Sequence, residues 1–179
     1  MVGLLADAPE DTNRGNTQAV RDYYLSTLPE AIERLGPVRS RFQLIAGIVF
    51  PNFGMIPGSQ TIRQFHPRGP EKMEVWSYCL VDKEAPEDIK KQMQQGYVRR
   101  FGPSGMFEQD DGENWSQVSA SSRSSLARTL EFNYQMGLGH ERLHPELPGE
   151  IGNADAELTH RSFYKRWAEE MGDGARVAT

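Results

Sequence analysis

Residues 59–82 read SQTIRQFHPRGPEKMEVWSYCLVD, and this stretch decides the fold. Two runs rich in β-branched and aromatic side chains, 59–66 and 72–82, flank a breaker at residues 67–70. Runs of this kind joined by a short Pro/Gly segment form an antiparallel hairpin. In the second run Val75, Cys79 and Val81 fall on one face, and Trp76, Tyr78 and Leu80 on the other. Both faces are apolar, so the strand is expected inside the protein rather than at a wet surface.

Upstream, Thr17 to Leu25 has the pattern of a short helix. A second helix is expected after it, with Thr27 as N-cap, Pro29 in the first turn, Glu30 completing a capping box, and a stop at Gly36 and Pro37. Gln43 to Phe50 is an apolar run suited to a buried strand. Downstream of the hairpin, Pro86, Glu87 and Asp88 open a helix that carries Ile89, Met93 and Tyr97 on one stripe and ends at Gly102 and Pro103. Arg128 to Met136 alternates Leu130, Phe132, Tyr134 and Met136 against polar neighbours, the period of a half-buried strand. Asp155 to Met171 spaces Phe163, Trp167 and Met171 four apart, as in a helix. Residues 1–16 are polar and turn-rich and are expected to be loose, with one domain over 17–172. Hairpin-joined strands with segregated helices make an α+β layer.

Charge and composition narrow the function. The chain has 179 residues, 25% of them charged, and a net charge of -5. Phosphate binding needs clustered Lys and Arg, so a nucleic-acid partner is not expected. Arg99 and Arg100, the one basic cluster, suit the end of a helix. No apolar run approaches the length of a membrane span, and no basic region followed by an apolar segment opens the chain, which argues against a signal peptide. A single cysteine, Cys79, forbids an internal disulfide, suits a reducing cytoplasm, and reads as an inert core thiol.

Residues 101–115, FGPSGMFEQDDGENW, carry the chemistry. Adjacent Asp110 and Asp111 stand between a glycine turn flanked by Phe101 and Phe107 and a helix start. On their own the two acids read as an N-cap and its neighbour, and the two rings as core. The run resembles the stretch that supplies the single carboxylate ligand of mononuclear iron in the α subunit of aromatic-ring-hydroxylating dioxygenases, the Rieske non-heme iron oxygenases. The segments IPG at 56–58, HPRGP at 66–70, MEVW at 73–76, Val81 and Asp82, and APEDIK at 85–90 recur in that family in the same order and at similar spacing. The resemblance covers roughly residues 40 to 136.

The resemblance implies part of a helix-grip catalytic domain, a curved antiparallel sheet wrapped on helices. It implies Asp111 as the carboxylate ligand of Fe(II), with Phe101, Phe107, Ile56 and Ser59 lining an arene pocket. It implies addition of both atoms of O2 to biphenyl, benzene or a polycyclic hydrocarbon, with electrons from NAD(P)H through a reductase and ferredoxin. A β subunit in an α3β3 assembly belongs to the same picture. The family's two His ligands, its bridging Asp and its Rieske domain with the [2Fe-2S] cluster would lie before Met1, so a C-terminal part of an α subunit, inactive alone, is expected. Two other readings stand beside this one. His140, Glu141 and His144 match the H-E-x-x-H pattern of zinc peptidases, which demands a helix through both histidines, whereas Gly137, Gly139, Pro145 and Pro148 around them favour a polar loop. The other is a non-catalytic module that binds apolar ligands on the same sheet.

Overall fold

A computed structural model describes residues 2–3, 16–40, 43–44, 46–153 and 155–173. Along the chain come β1 (Val2–Gly3), α1 (Gln18–Ser40), β2 (Gln43–Leu44), β3 (Gly47–Val49), β4 (Phe53–Ile56), β5 (Thr61–Pro67) and β6 (Met73–Cys79). Then follow α2 (Glu87–Phe101), α3 (Glu108–Ser121), β7 (Arg142–His144), β8 (Leu147–Ile151) and α4 (Leu158–Asp173). Among the described residues, β3-β4-β5-β6 form one antiparallel sheet, while β1-β2 and β7-β8 are separate two-stranded pairs. Most of the segment expected to be loose, residues 4–15, lies outside the described residues, as do 41–42 and 45.

The β5–β6 hairpin is the frame of the sheet. Its register runs from Thr61 opposite Cys79 to Pro67 opposite Met73. The Arg68 N–H donates to Lys72 O at 2.8 Å across the turn, and Gly69 takes φ +106°, which favours glycine. On the other side β4 pairs with β5 so that Gly54 lies opposite Arg63. A Cβ at Gly54 would stand 3.1 Å from the Phe65 ring, so the missing side chain gives that ring its place.

The buried core sits at one end of the sheet. Val20 of α1 packs with Ala85 and with Ile89 and Met93 of α2, and half-buried Tyr23 and Val81 close around them. Met93 is fully buried, as its place on the expected helix stripe requires. The Tyr23 hydroxyl donates to Asp82 Oδ2 at 2.8 Å and ties α1 to the chain just after β6. Helix α2 has Glu87 and Asp88 in its first turn and Arg99 and Arg100 in its last, each charge complementing the dipole end beside it.

Four sequence expectations are corrected. The two N-terminal helices are one, α1, because the Thr27 hydroxyl donates back to Tyr24 O at 2.9 Å instead of capping a new start. The expected stop survives as a kink at Gly36, φ +77°. The single strand over 43–50 is split into β2 and β3, and Ile48 and Val49 on the sheet's edge are exposed, not buried. Strand β6 is also an edge among the described strands: Val75 and Ser77 look into a cavity shared with α2 and α3, while Trp76 and Tyr78 are half-exposed on the other face. Residues 130–136 form no strand, and Phe132 is 80% exposed. Side chains of the α4 region serve this segment instead: Arg161 donates to Tyr134 O and Met136 O, and Tyr134 stacks on His160 at 5.5 Å. In α4 itself, Phe163 meets Phe50 at 5.4 Å, whereas Trp167 and Met171 remain exposed.

Candidate active site

The end of α2, the turn after it and the start of α3 make one unit. Phe101, the last residue of α2, is 8% exposed, and its ring lies 5.8 Å from Tyr97 and 6.0 Å from Phe107. Gly102, Pro103 and Gly105 then reverse the chain, with the Met106 N–H donating to Arg99 O at 3.1 Å and the Phe107 N–H to Arg100 O at 3.0 Å. Helix α3 starts at Glu108, so Asp110 and Asp111 lie within its first turn and are not its N-cap. The Asp111 N–H donates to Phe107 O at 3.0 Å. Three carboxylates, from Glu108, Asp110 and Asp111, crowd the positive end of the helix dipole.

A residue that sequence reasoning missed binds this unit to the sheet. Arg63 projects from β5 with its side chain 6% exposed. Its Nη2 meets Glu108 Oε2 at 2.5 Å, and its Nη1 lies 3.7 Å from Asp111 Oδ2, an ion-pair distance too long for a hydrogen bond. The guanidinium carbon sits 4.7 Å from the centre of the Phe101 ring. Asp111 is left 45% exposed. The signal in the sequence was an arginine at an inward position between Thr61 and Phe65, since a buried guanidinium needs an acid partner. Phe101 and Asp111 thus come together at Arg63, with Phe107 beside Phe101. Ile56 and Ser59 stand apart from this cluster: Ile56 ends β4 opposite Thr61, and Ser59 is buried in the 57–59 turn.

Among the described residues, a larger and a smaller cavity lie against the sheet. The larger, about 940 Å³, lies between α1 and the strand ends and is lined by Tyr24, Leu25, Met55, Gln60, Ile62 and Leu80 among others. The smaller, about 560 Å³, is lined by Phe101, Pro103 and Glu108 with Val75 and Ser77. The candidate residue Phe101 therefore faces the smaller space, and Asp111 lines neither. Beside the larger cavity, Arg100 Nη2 donates to Asn16 Oδ1 and Gln60 Oε1, both at 3.2 Å, and the Gln60 amide donates to the Tyr24 hydroxyl at 3.3 Å. Burial pushes the Tyr24 phenol and the Cys79 thiol above their ordinary ranges, which keeps both protonated and Cys79 a poor nucleophile.

The H-E-x-x-H segment is not helical. Residues 142–144 are β7, paired with β8, and His144 Nδ1 accepts the Glu146 N–H at 3.1 Å. Glu141 forms an ion pair with Arg161 and accepts the Gly139 N–H at 2.7 Å. Hydrogen bonding from its own backbone N–H, reinforced by Arg161 against partial burial, holds its carboxyl below the usual range, the wrong direction for a general base.

The sequence profile described as "Ring hydroxylating alpha subunit (catalytic domain)" matches residues 6–173. The chain belongs to this family. Among its relatives, the biphenyl 2,3-dioxygenase subunit alpha of Rhodococcus jostii (strain RHA1) is 41% identical over 145 residues, which is 79% of this chain and 32% of that protein. The benzene 1,2-dioxygenase subunit alpha of Pseudomonas putida is 40% identical over 146 residues, 79% of this chain and 32% of the relative. A solved naphthalene 1,2-dioxygenase with indole in its active site superposes with a TM-score of 0.73 at 27% identity, covering 82% of this chain and 34% of that one. Naphthalene 1,2-dioxygenase from Rhodococcus sp., also bound to indole, gives 0.68 at 35% identity over 89% of this chain and 39% of that one. This ring-hydroxylating α-subunit chain thus spans about a third of the length of the relatives it matches. The α+β, helix-grip-type reading of the fold stands, with antiparallel strands packed on helices.

Proposed function

We propose that this chain is the C-terminal part of the catalytic domain of a dioxygenase α subunit that cis-dihydroxylates aromatic hydrocarbons with O2 and electrons from NAD(P)H. The observation that carries the reading is the meeting of Phe101 and Asp111 at Arg63, with the Phe107 ring against Phe101. Phe101 and Phe107 present apolar rings that orient an arene, and Ile56 and Ser59, apart from them at the end of β4 and in the turn after it, are carried as more distant pocket residues. Asp111, half-exposed at the edge of that wall, offers one carboxylate towards a mononuclear non-heme iron. Such iron needs two His and one carboxylate. Among the described residues no group of three or more His, Cys, Asp or Glu side chains is arranged to hold a metal ion, so the residues here do not fit an iron site by themselves. The remaining donors, the [2Fe-2S] cluster, the rest of the α subunit, the β subunit, the ferredoxin and the reductase are partners in this proposal. When bound, the iron supplies oxygen activation; this chain supplies the shape of the pocket and the placement of one acid.

The test is a chimera in which these residues replace the matching third of a biphenyl dioxygenase α subunit, assembled with that enzyme's own partners. It is expected to form cis-dihydrodiol from biphenyl or benzene. Asp111→Ala is expected to lose mononuclear iron and product while the [2Fe-2S] absorbance stays. Phe101→Ala and Phe107→Ala are expected to change the product ratio on an unsymmetrical arene, because the rings shape space and move no proton or electron. A chimera that folds and carries its [2Fe-2S] cluster yet makes no dihydrodiol refutes the proposal. One observation favours a second reading, an apolar-ligand module: the larger cavity is lined by Met55, Ile62 and Leu80 and excludes Asp111. Uptake of an arene that survives Asp111→Ala and is lost on filling that cavity with Leu25→Trp would support it.

A further inference from the structure

We propose that Arg63 is the positioning residue of the arene wall, holding the Phe101 ring and the start of α3 at a fixed bearing to the sheet without touching substrate. This rests on the reading of Phe101 and Phe107 as pocket walls. Arg63 leaves β5, an inner strand with β4 on one side and β6 on the other, and is nine-tenths buried. Taking a guanidinium out of water is tolerated only with a matched acid, and Glu108 fills that need at 2.5 Å. The same planar group lies 4.7 Å from the Phe101 ring centre, within cation–π range. Its Nη1 stands 3.7 Å from Asp111, and its Nε has no hydrogen-bond partner among the described residues.

One rigid fork therefore joins the last residue of α2, the first turn of α3 and the sheet. Backbone hydrogen bonds close the intervening turn without acting on the Phe101 ring, whereas the guanidinium stands over its face and the Tyr97 and Phe107 rings flank it. Glu108 is the anchor, and it draws the charge away from Asp111, which stays at the longer distance and half-exposed. A lysine would keep the charge but lacks the flat face and the fork. The device thus predicts a split between charge and shape that a merely structural ion pair would not show.

The test uses the chimeric α subunit with its partners for turnover, and the full chain by itself for amide exchange. Arg63→Met and Glu108→Gln are each expected to change the product ratio on a monosubstituted biphenyl at least threefold, in the same direction, with the loss falling on KM more than on kcat. Arg63→Lys is expected to keep the slow exchange of residues 107–113 while still changing the product ratio. A product ratio left unchanged by Arg63→Met overturns the proposal. Should Arg63→Met fail to assemble, Glu108→Gln, nearly isosteric, decides in its place by the same criterion. An inactive parent chimera would sink the dioxygenase reading alone. The Arg63 proposal then stands or falls on exchange, with Arg63→Met expected to speed residues 107–113 at least tenfold and leave 147–151 unchanged; equal rates overturn it.

Discussion

Replacing Gly105 with alanine separates steric fit from helix propensity within a single motif. A Cβ at Gly105 would stand 2.5 Å from Arg100 O, 2.6 Å from Arg100 C and 2.8 Å from Gly102 O, all backbone atoms that cannot rotate away. The turn must open. Overpacking of this kind costs about 1–3 kcal/mol. Opening also strains the Gly105 N–H bond to Gly102 O at 2.7 Å and the Phe107 N–H bond to Arg100 O at 3.0 Å, each contributing about 1 kcal/mol when intact. Partial loss of these brings the expected cost to about 2–4 kcal/mol. At 1.4 kcal/mol per factor of ten, amides of residues 101–111 should exchange roughly 30- to 700-fold faster, up to the unprotected limit. Gly112, seven residues on, has nothing within 4 Å of its would-be Cβ and lies inside α3. Alanine there should stabilise the helix by about 0.8–1 kcal/mol and slow exchange about four- to fivefold. Hydrogen exchange read by mass spectrometry on both variants gives the comparison. Wild-type rates in Gly105→Ala, or equal losses in the two variants, would refute the reasoning.

Met93→Ala empties the centre of the α1–α2 core and is expected to cost about 2–5 kcal/mol, read as a lower urea midpoint; a change under ~1 kcal/mol would mean that the core does not carry the fold. The Tyr23 phenol is pushed up to about 12, first by partial burial and then by its hydrogen bond to the Asp82 carboxylate. Because the folded value lies above the ordinary 10, the protonated latch contributes fully below pH 10 and is lost as pH rises through about 12. Absorbance titration at alkaline pH should show a late step that Tyr23→Phe removes, and an unchanged curve would count against the latch. Expressed alone, the chain is expected to self-associate through β6, whose outer face shows Trp76 47% and Tyr78 43% exposed. Trp76→Lys should lower light scattering, and a cooperatively folding wild-type monomer would contradict this.

The sequence by itself determined what depends on neighbours along the chain. The 59–82 hairpin was readable because its breaker and its two β-rich runs are local, and α2 because its caps and its Ile89–Met93 stripe are local. The ordered motifs around Asp111 carried the family for the same reason, since a motif is a local record of a distant constraint. Tertiary structure decided everything that rests on a partner. Residues 130–136 alternate like a strand but form none, because α4 side chains take their carbonyls and rings. Trp76 and Tyr78 are as apolar as core residues and are still half-exposed, because they fall on the face of β6 turned away from α2 and α3. Arg63 shows why the site was only half legible. A charge on a strand gives no hint of which helix will answer it, and Glu108, 45 positions away, is found only when α3 folds back on the sheet. Local preference writes itself into the sequence; the pairing of distant charges and faces is settled only when the chain closes on itself.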